Sequence, residues 1–367
     1  MKNIILEHVK KYPLMEIRDI AKLIYQSEFG GGHMIPNPEI SLKRIQEEYH
    51  SLTPEALNVP SVVEPIGNEL ARIYLSCLDQ GISAYVLNEM FVYSANNKKG
   101  TVEGLETKIE LVISMCTNDV SGQDALLPYH ADDVIEFFDA WCQDGYPAMS
   151  HSETYRQNYH PAYRVVEENF VKLYEVVCSV RKSLASFGSA IPLAADHHRK
   201  PYIIAIDGMS GSGKSTFANL LHETFPASTL FHMDDYFLQP SQRTDERLSE
   251  IGGNVDYERF YDEIISHLEN ESGLTYQKYD CCTQTLGDKI HVPWKPIVII
   301  EGSYSHHPYF GNHYDLLVFL EISSEEQKRR ILLRNGEFML ERFLTEWIPK
   351  ENAYFEKFDI KTAATIK

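Results

Sequence analysis

The run from Pro201 to Thr216, PYIIAI followed by DGMSGSGKST, constrains the fold of this chain more than any other stretch. Its opening residues are apolar and β-branched at Ile203, Ile204 and Ile206, which predicts a buried parallel strand, and the glycines that follow predict a tight turn into a helix. Gly208, Gly211, Gly213, Lys214 and Ser215 fit the spacing G-x-x-x-x-G-K-[ST]. Backbone amides at Ser210, Ser212 and Thr216, together with those of the glycines, can then surround a phosphate because few side chains block its approach. Lys214 adds a point charge for the outer phosphates, and Ser215 is placed to ligate Mg²⁺. A helix starting near Gly213 turns its positive end toward the same anion. The run therefore reads as a nucleoside triphosphate site, against the blander reading of a glycine-rich turn.

Composition narrows what surrounds it. A chain of 367 residues, 43% hydrophobic and 24% charged, is an ordinary protein of two or three domains. A formal charge of −19 argues against nucleic acid as a partner, since phosphate backbones need clustered Lys and Arg. No run approaches the roughly 20 apolar residues of a membrane span, and the first residues, MKNIILEHVKKYPL, lack the apolar core of a signal peptide. The six cysteines show neither metal spacing nor an obvious disulfide framework, which suits reduced thiols in a cytoplasmic protein.

From Ile4 to about Ser186 the periodicity is helical, which predicts an all-α domain over 1–186 with helices near 4–11, 17–28, 41–51, 68–80, 83–96, 104–116 and 132–142. After Pro161, a stripe of Val166, Phe170, Leu173, Val177, Val180 and Leu184 predicts a further long helix. Two stretches stand out: Tyr25 to His33, where three glycines end a helix, and His151 to Pro161, dense in imidazole and aromatic groups. Both could line a polar pocket or hold a metal; both could equally be helix stop and loop. Residues 187–200 lose periodicity and read as a linker. Beyond them, 201–367 alternates strand and helix, which predicts an α/β domain whose parallel sheet has flanking helices and carries its ligands at the strand ends.

Those ends hold carboxylates. Asp234 closes the second strand, where it can take a proton from an attacking hydroxyl or hold Mg²⁺ through water, and Glu301 closes the third at the same rim. Either could instead cap a turn. Arg330 and Arg334, four apart on a helix, can reach one anion from one face, as a closing lid requires.

The ordered set of the glycine loop, Met233-Asp234, Asn254-Val255-Asp256, Tyr279-Asp280, Glu301-Gly302 and the arginine-bearing helix resembles the uridine kinase and phosphoribulokinase group of P-loop kinases. The resemblance covers about 201–360 and leaves 1–186 unassigned. It implies a P-loop domain that uses ATP and Mg²⁺ to phosphorylate a small-molecule hydroxyl, with Lys214 on the phosphates and Asp234 as base. It further implies Arg330 and Arg334 as lid cations and Asp256 holding ribose hydroxyls. Ser215, from its place in the loop, and Glu301, from its strand end, are the candidates for the metal, and of Asp234 and Glu301 one can orient the metal while the other handles the nucleophile. In the substrate loop of uridine kinases an aromatic ring and a histidine read the pyrimidine. Tyr279 and Asp280 are kept here, whereas Cys281 and Gln284 stand at those two places, so the acceptor is expected to be a nucleoside-like or polyol compound other than plain uridine or cytidine. Alternatives are a sugar, glycerate or pantothenate-like acceptor, or a non-catalytic ATP switch whose helical domain binds a partner. Oligomeric state is not legible.

Overall fold

A computed structural model describes residues 1–58, 61–97, 100–117, 125–186 and 200–367. The expected linker, apart from Lys200, lies outside the described residues. The described chain divides into two compact units, Met1–Tyr174 and Glu175–Lys367.

The first unit is helix-rich. Helices Lys2–Lys11, Ile17–Phe29, Pro38–Ser51, Ala84–Asn97, Val102–Cys116 and Ala131–Gln143 fall close to their expected places. Their ends follow from local chemistry: Asn37 accepts the Ile40 amide with Pro38 at the first helical position, and Thr101 accepts the Gly104 amide. Ile20, Leu23, Ile24, Leu105, Val112, Phe138 and Trp141 form its buried core.

Among these helices runs a three-stranded antiparallel sheet absent from the sequence reading: β1 (Val63–Gly67), β2 (Leu70–Tyr74) and β3 (Tyr163–Glu167), in that order. The helix expected near 68–80 is corrected to β2 followed by a 3₁₀ segment, Leu75–Gln80. Gly67, Asn68 and Glu69 all have positive φ, which makes a hairpin turn and cannot start a helix. Every residue of β2 and β3 is buried, so neither strand shows the alternation that would have marked it. Val166 accordingly sits in β3, and the long helix begins after it, at Glu168–Ser186.

In the second unit β4 (Tyr202–Gly208), β5 (Ser228–His232), β8 (Ile297–Glu301) and β9 (Leu316–Leu320) form a parallel sheet in the order β5-β8-β4-β9. Ile206 and His232 are both in register with Glu301, which brings three strand ends to one level. The last residues add a single parallel bridge, Val318 with Ile366, as the stub of a further strand. Between β5 and β8 lies an antiparallel hairpin not anticipated from sequence, β6 (Leu274–Asp280) and β7 (Thr285–Val292). The helix expected at 324–334 runs on to Arg342, with a kink at Gly336.

Candidate active site

The phosphate-loop run folds as a strand, a turn and the Lys214–Thr224 helix. Gly208, Gly211 and Gly213 have φ of +141°, +80° and +90°, conformations that a side chain would strain. At Gly208 a Cβ would also lie 2.0 Å from the carbonyl oxygen of Leu320, so the turn is pressed directly onto β9. Gly213 caps the helix without a side-chain acceptor, leaving the amides of Lys214, Ser215 and Thr216 for an anion. Lys214 Nζ donates to the carbonyls of Gly208 and Met209, at 2.8 and 3.0 Å. A loop with uncapped amides and a cation fits phosphate oxygens.

Glu301 is buried at the end of β8, where its Oε2 accepts from Ser215 Oγ at 3.3 Å and its Oε1 from His232 Nδ1 at 2.6 Å. A hydroxyl beside a carboxylate is an oxygen donor set that suits Mg²⁺. No group of three or more His, Cys, Asp or Glu among the described residues could hold a metal ion by itself. The hydrogen bond to Glu301 holds the His232 pKa above the usual imidazole range. Asp234 follows in the turn Met233–Tyr236, with its side chain open to solvent at the foot of the strand ends. The protein mass around it and the charge of Glu301 push its carboxyl upward, against the opposing pull of Lys214 and His232.

Arg330 is held by Glu326 at 2.7 Å, and its Nη1 stands 3.5 Å from Gly211 O, which places it at the loop. Arg334 is exposed further along the same helix, its Nε donating to Asn335 Oδ1. The acceptor residues read from resemblance are more dispersed. Asp256 is buried and caps the Tyr257–Glu263 helix, accepting from Arg259 N at 3.1 Å and Gln242 Nε2 at 2.9 Å. Tyr279 is buried in β6, its hydroxyl accepting from Arg243 Nη2 at 2.8 Å. Asp280 and Gln284 are exposed at the hairpin tip: Asp280 accepts the amides of Cys282 and Thr283, and Gln284 takes a positive φ. An ion pair of 2.9 Å between Lys278 and Asp235 ties this hairpin to the turn carrying Asp234.

Residues that sequence reasoning missed are His232, which shares a strand end with Asp234, and Asp207. The latter is fully buried beneath the loop; its Oδ2 accepts from His306 N at 3.1 Å and Tyr354 OH at 2.9 Å. An acid embedded in an apolar strand was the available signal.

The singled-out stretches of the first unit have structural partners. Glu28 accepts from Lys108 Nζ at 2.7 Å and from the Thr101 amide at 2.9 Å. His33 packs edge-on against Tyr25. His151 is buried between Asp19 and the Tyr163 hydroxyl, at 2.8 and 2.7 Å, and stacks on Tyr155.

No family model matches the chain. Curated relatives do. The uridine kinase of Ureaplasma parvum serovar 3 is 28% identical over 173 residues, covering 44% of this chain and 83% of that protein. Over part of its length the chain resembles the uridine kinases. The uridine kinase of Geobacillus sp. (strain WCH70) is 26% identical over 43% of this chain and 82% of its own length. That of Clostridium novyi (strain NT) reaches 34%, over 28% of this chain and 52% of its own. Among solved structures, a possible uridine kinase from Bacillus stearothermophilus aligns at 21% identity and a TM-score of 0.36, covering 51% of this chain and 98% of that one. A putative fructose transport system kinase from Silicibacter sp. TM1040 aligns at 18% and 0.38, covering 51% and 94%. The second unit carries an α/β fold with a parallel sheet and flanking helices, the phosphate loop lying between β4 and its helix.

Proposed function

We propose that the second unit is an ATP-dependent small-molecule kinase that transfers a phosphoryl group to the hydroxyl of a nucleoside-like or polyol acceptor. The observation that carries this reading is the convergence, at the ends of β4, β5 and β8, of Lys214, the Ser215–Glu301 pair and Asp234. The similarity to uridine kinases supports the same class of reaction.

In this reading Lys214 and the first amides of its helix hold phosphate oxygens, and Arg330 adds a cation from the far side of the loop. Ser215 and Glu301 would hold Mg²⁺, which when bound offsets charge on the phosphates. Asp234 orients the acceptor hydroxyl and takes its proton on a carboxylate oxygen. Its raised pKa suits that role, because a base closer to neutrality gains more from accepting a proton.

The test is ADP release from ATP and Mg²⁺ in the presence of fractionated metabolites, with mass spectrometry of products 80 Da heavier than their precursors, about the mass one phosphoryl group adds. Lys214→Ala serves as the control and should lose more than ~10²-fold in activity. ADP release stimulated by a protein and by no metabolite would overturn the reading in favour of a nucleotide-dependent switch.

A further inference from the structure

Ser210 is anchored through its amide, its carbonyl and its side chain. Its N–H and Oγ donate to the two oxygens of Glu351, at 3.0 and 2.6 Å, and its carbonyl accepts from Gln327 Nε2 at 2.8 Å. Glu351 also accepts from Ser303 Oγ at 2.7 Å, in the turn after β8. It is buried, 5% exposed, in the Ile348–Lys357 helix. Three residues along the same helix face, Tyr354 donates to Asp207, on the other side of Gly208. One helix therefore grips the phosphate loop on both flanks of its first glycine.

Among the described residues Glu351 makes no ion pair; its partners are two hydroxyls and an amide. A carboxylate taken out of water without a cation is costly, and a carbon side chain would pack there at less expense. Its geometry supplies what packing would not. By holding the Ser210 N–H and hydroxyl, it fixes the start of the turn whose later amides can face an anion.

We infer that Glu351 is a positioning residue of the phosphate loop, acting through Ser210 on nucleotide affinity. This rests on the kinase reading above. It assigns to the Ile348–Lys357 helix a part in binding that its distance along the chain conceals.

The test is calorimetric titration of the full chain with MgATP and MgADP, alongside thermal melting. Glu351→Ala should weaken both nucleotides at least 10-fold. Glu351→Gln should stay within threefold of wild type, because the amide oxygen still accepts the Ser210 N–H and its NH₂ can donate to the serine hydroxyls. Ser303→Ala, which removes a partner of Glu351 outside the loop, should also stay within threefold. A purely structural role would lower the melting temperature of Glu351→Ala and leave the affinity of the folded protein unchanged; that result overturns the inference, as does Glu351→Gln falling as far as Glu351→Ala. Should Glu351→Ala not fold, Ser210→Ala must still weaken nucleotide binding several-fold, and an unchanged affinity there overturns the inference. A wild-type chain that binds neither nucleotide overturns the kinase reading itself, and this inference with it.

Discussion

The Ser215 hydroxyl lies 3.3 Å from one oxygen of Glu301, while His232 holds the other at 2.6 Å. Glu301 is thus fixed from two sides before any ion arrives. Glu301→Gln is expected to lower kcat by at least ~10²-fold and to raise the Mg²⁺ concentration needed for half-maximal rate. Activity titrated against Mg²⁺ checks this, and an unchanged Mg²⁺ requirement would remove Glu301 from the metal.

Asp234 separates from Glu301 in its expected behaviour. Asp234→Asn should lower kcat by ~10²–10⁴-fold and change the dissociation constant of ATP by no more than about threefold. Since a base must be ionised to act and the Asp234 carboxyl is raised above the usual range, kcat should climb with pH through that pKa and then level off. A variant that loses ATP binding in proportion to its rate would make Asp234 a metal residue instead.

Asp256 yields a prediction about stability. Its oxygens serve the Arg259 amide and guanidinium and the Gln242 side chain, so Asp256→Ala removes a helix cap and leaves half-buried donors unpaired. The expected cost is about 1–2 kcal/mol, read from chemical denaturation. A variant of wild-type stability whose only defect is a raised acceptor KM would return Asp256 to the ribose role implied by resemblance.

His151 provides a pH test in the first unit. Burial pushes its pKa down to about 4, although the hydrogen bond to Asp19 opposes the shift. A folded-state pKa below the unfolded value of about 6.5 means the neutral ring's contribution is complete above pH 6.5 and lost as pH falls toward 4. Protonation also takes away the lone pair that accepts from the Tyr163 hydroxyl. The melting temperature of the wild type should fall across that window, and His151→Gln should flatten the fall. Equal slopes for the two proteins would refute the assignment.

What could be read from sequence was local. The phosphate loop, Asp234 and Glu301 were legible because the glycine spacing and the strand-end carboxylates are each written within a few residues. Strands β2 and β3 were hidden by burial on both faces; β6 does alternate, but its partner β7 is mostly exposed and the turn between them has no glycine pair to mark a hairpin. Resemblance marked Asp256 as a substrate residue, whereas its side chain caps the Tyr257–Glu263 helix through the Arg259 amide and also accepts from Gln242, which no spacing rule links to it. Glu351 was out of reach for the plainest reason: it meets Ser210 across 141 residues of sequence.

Gly336 interrupts the Ser324–Arg342 helix at φ 77° and ψ 173°, and a Cβ built there would find nothing within 4 Å. The bend is thus made by a backbone conformation that glycine takes without strain, while Glu351, Tyr354 and Ile366 anchor the chain beyond it. Past it, Phe338 is 74% exposed, ahead of the turns that lead back to Glu351. The helical turn carrying Arg330 and the helix gripping Ser210 therefore lie on either side of one glycine in the chain, and the bend there is what lets both return to the same phosphate loop.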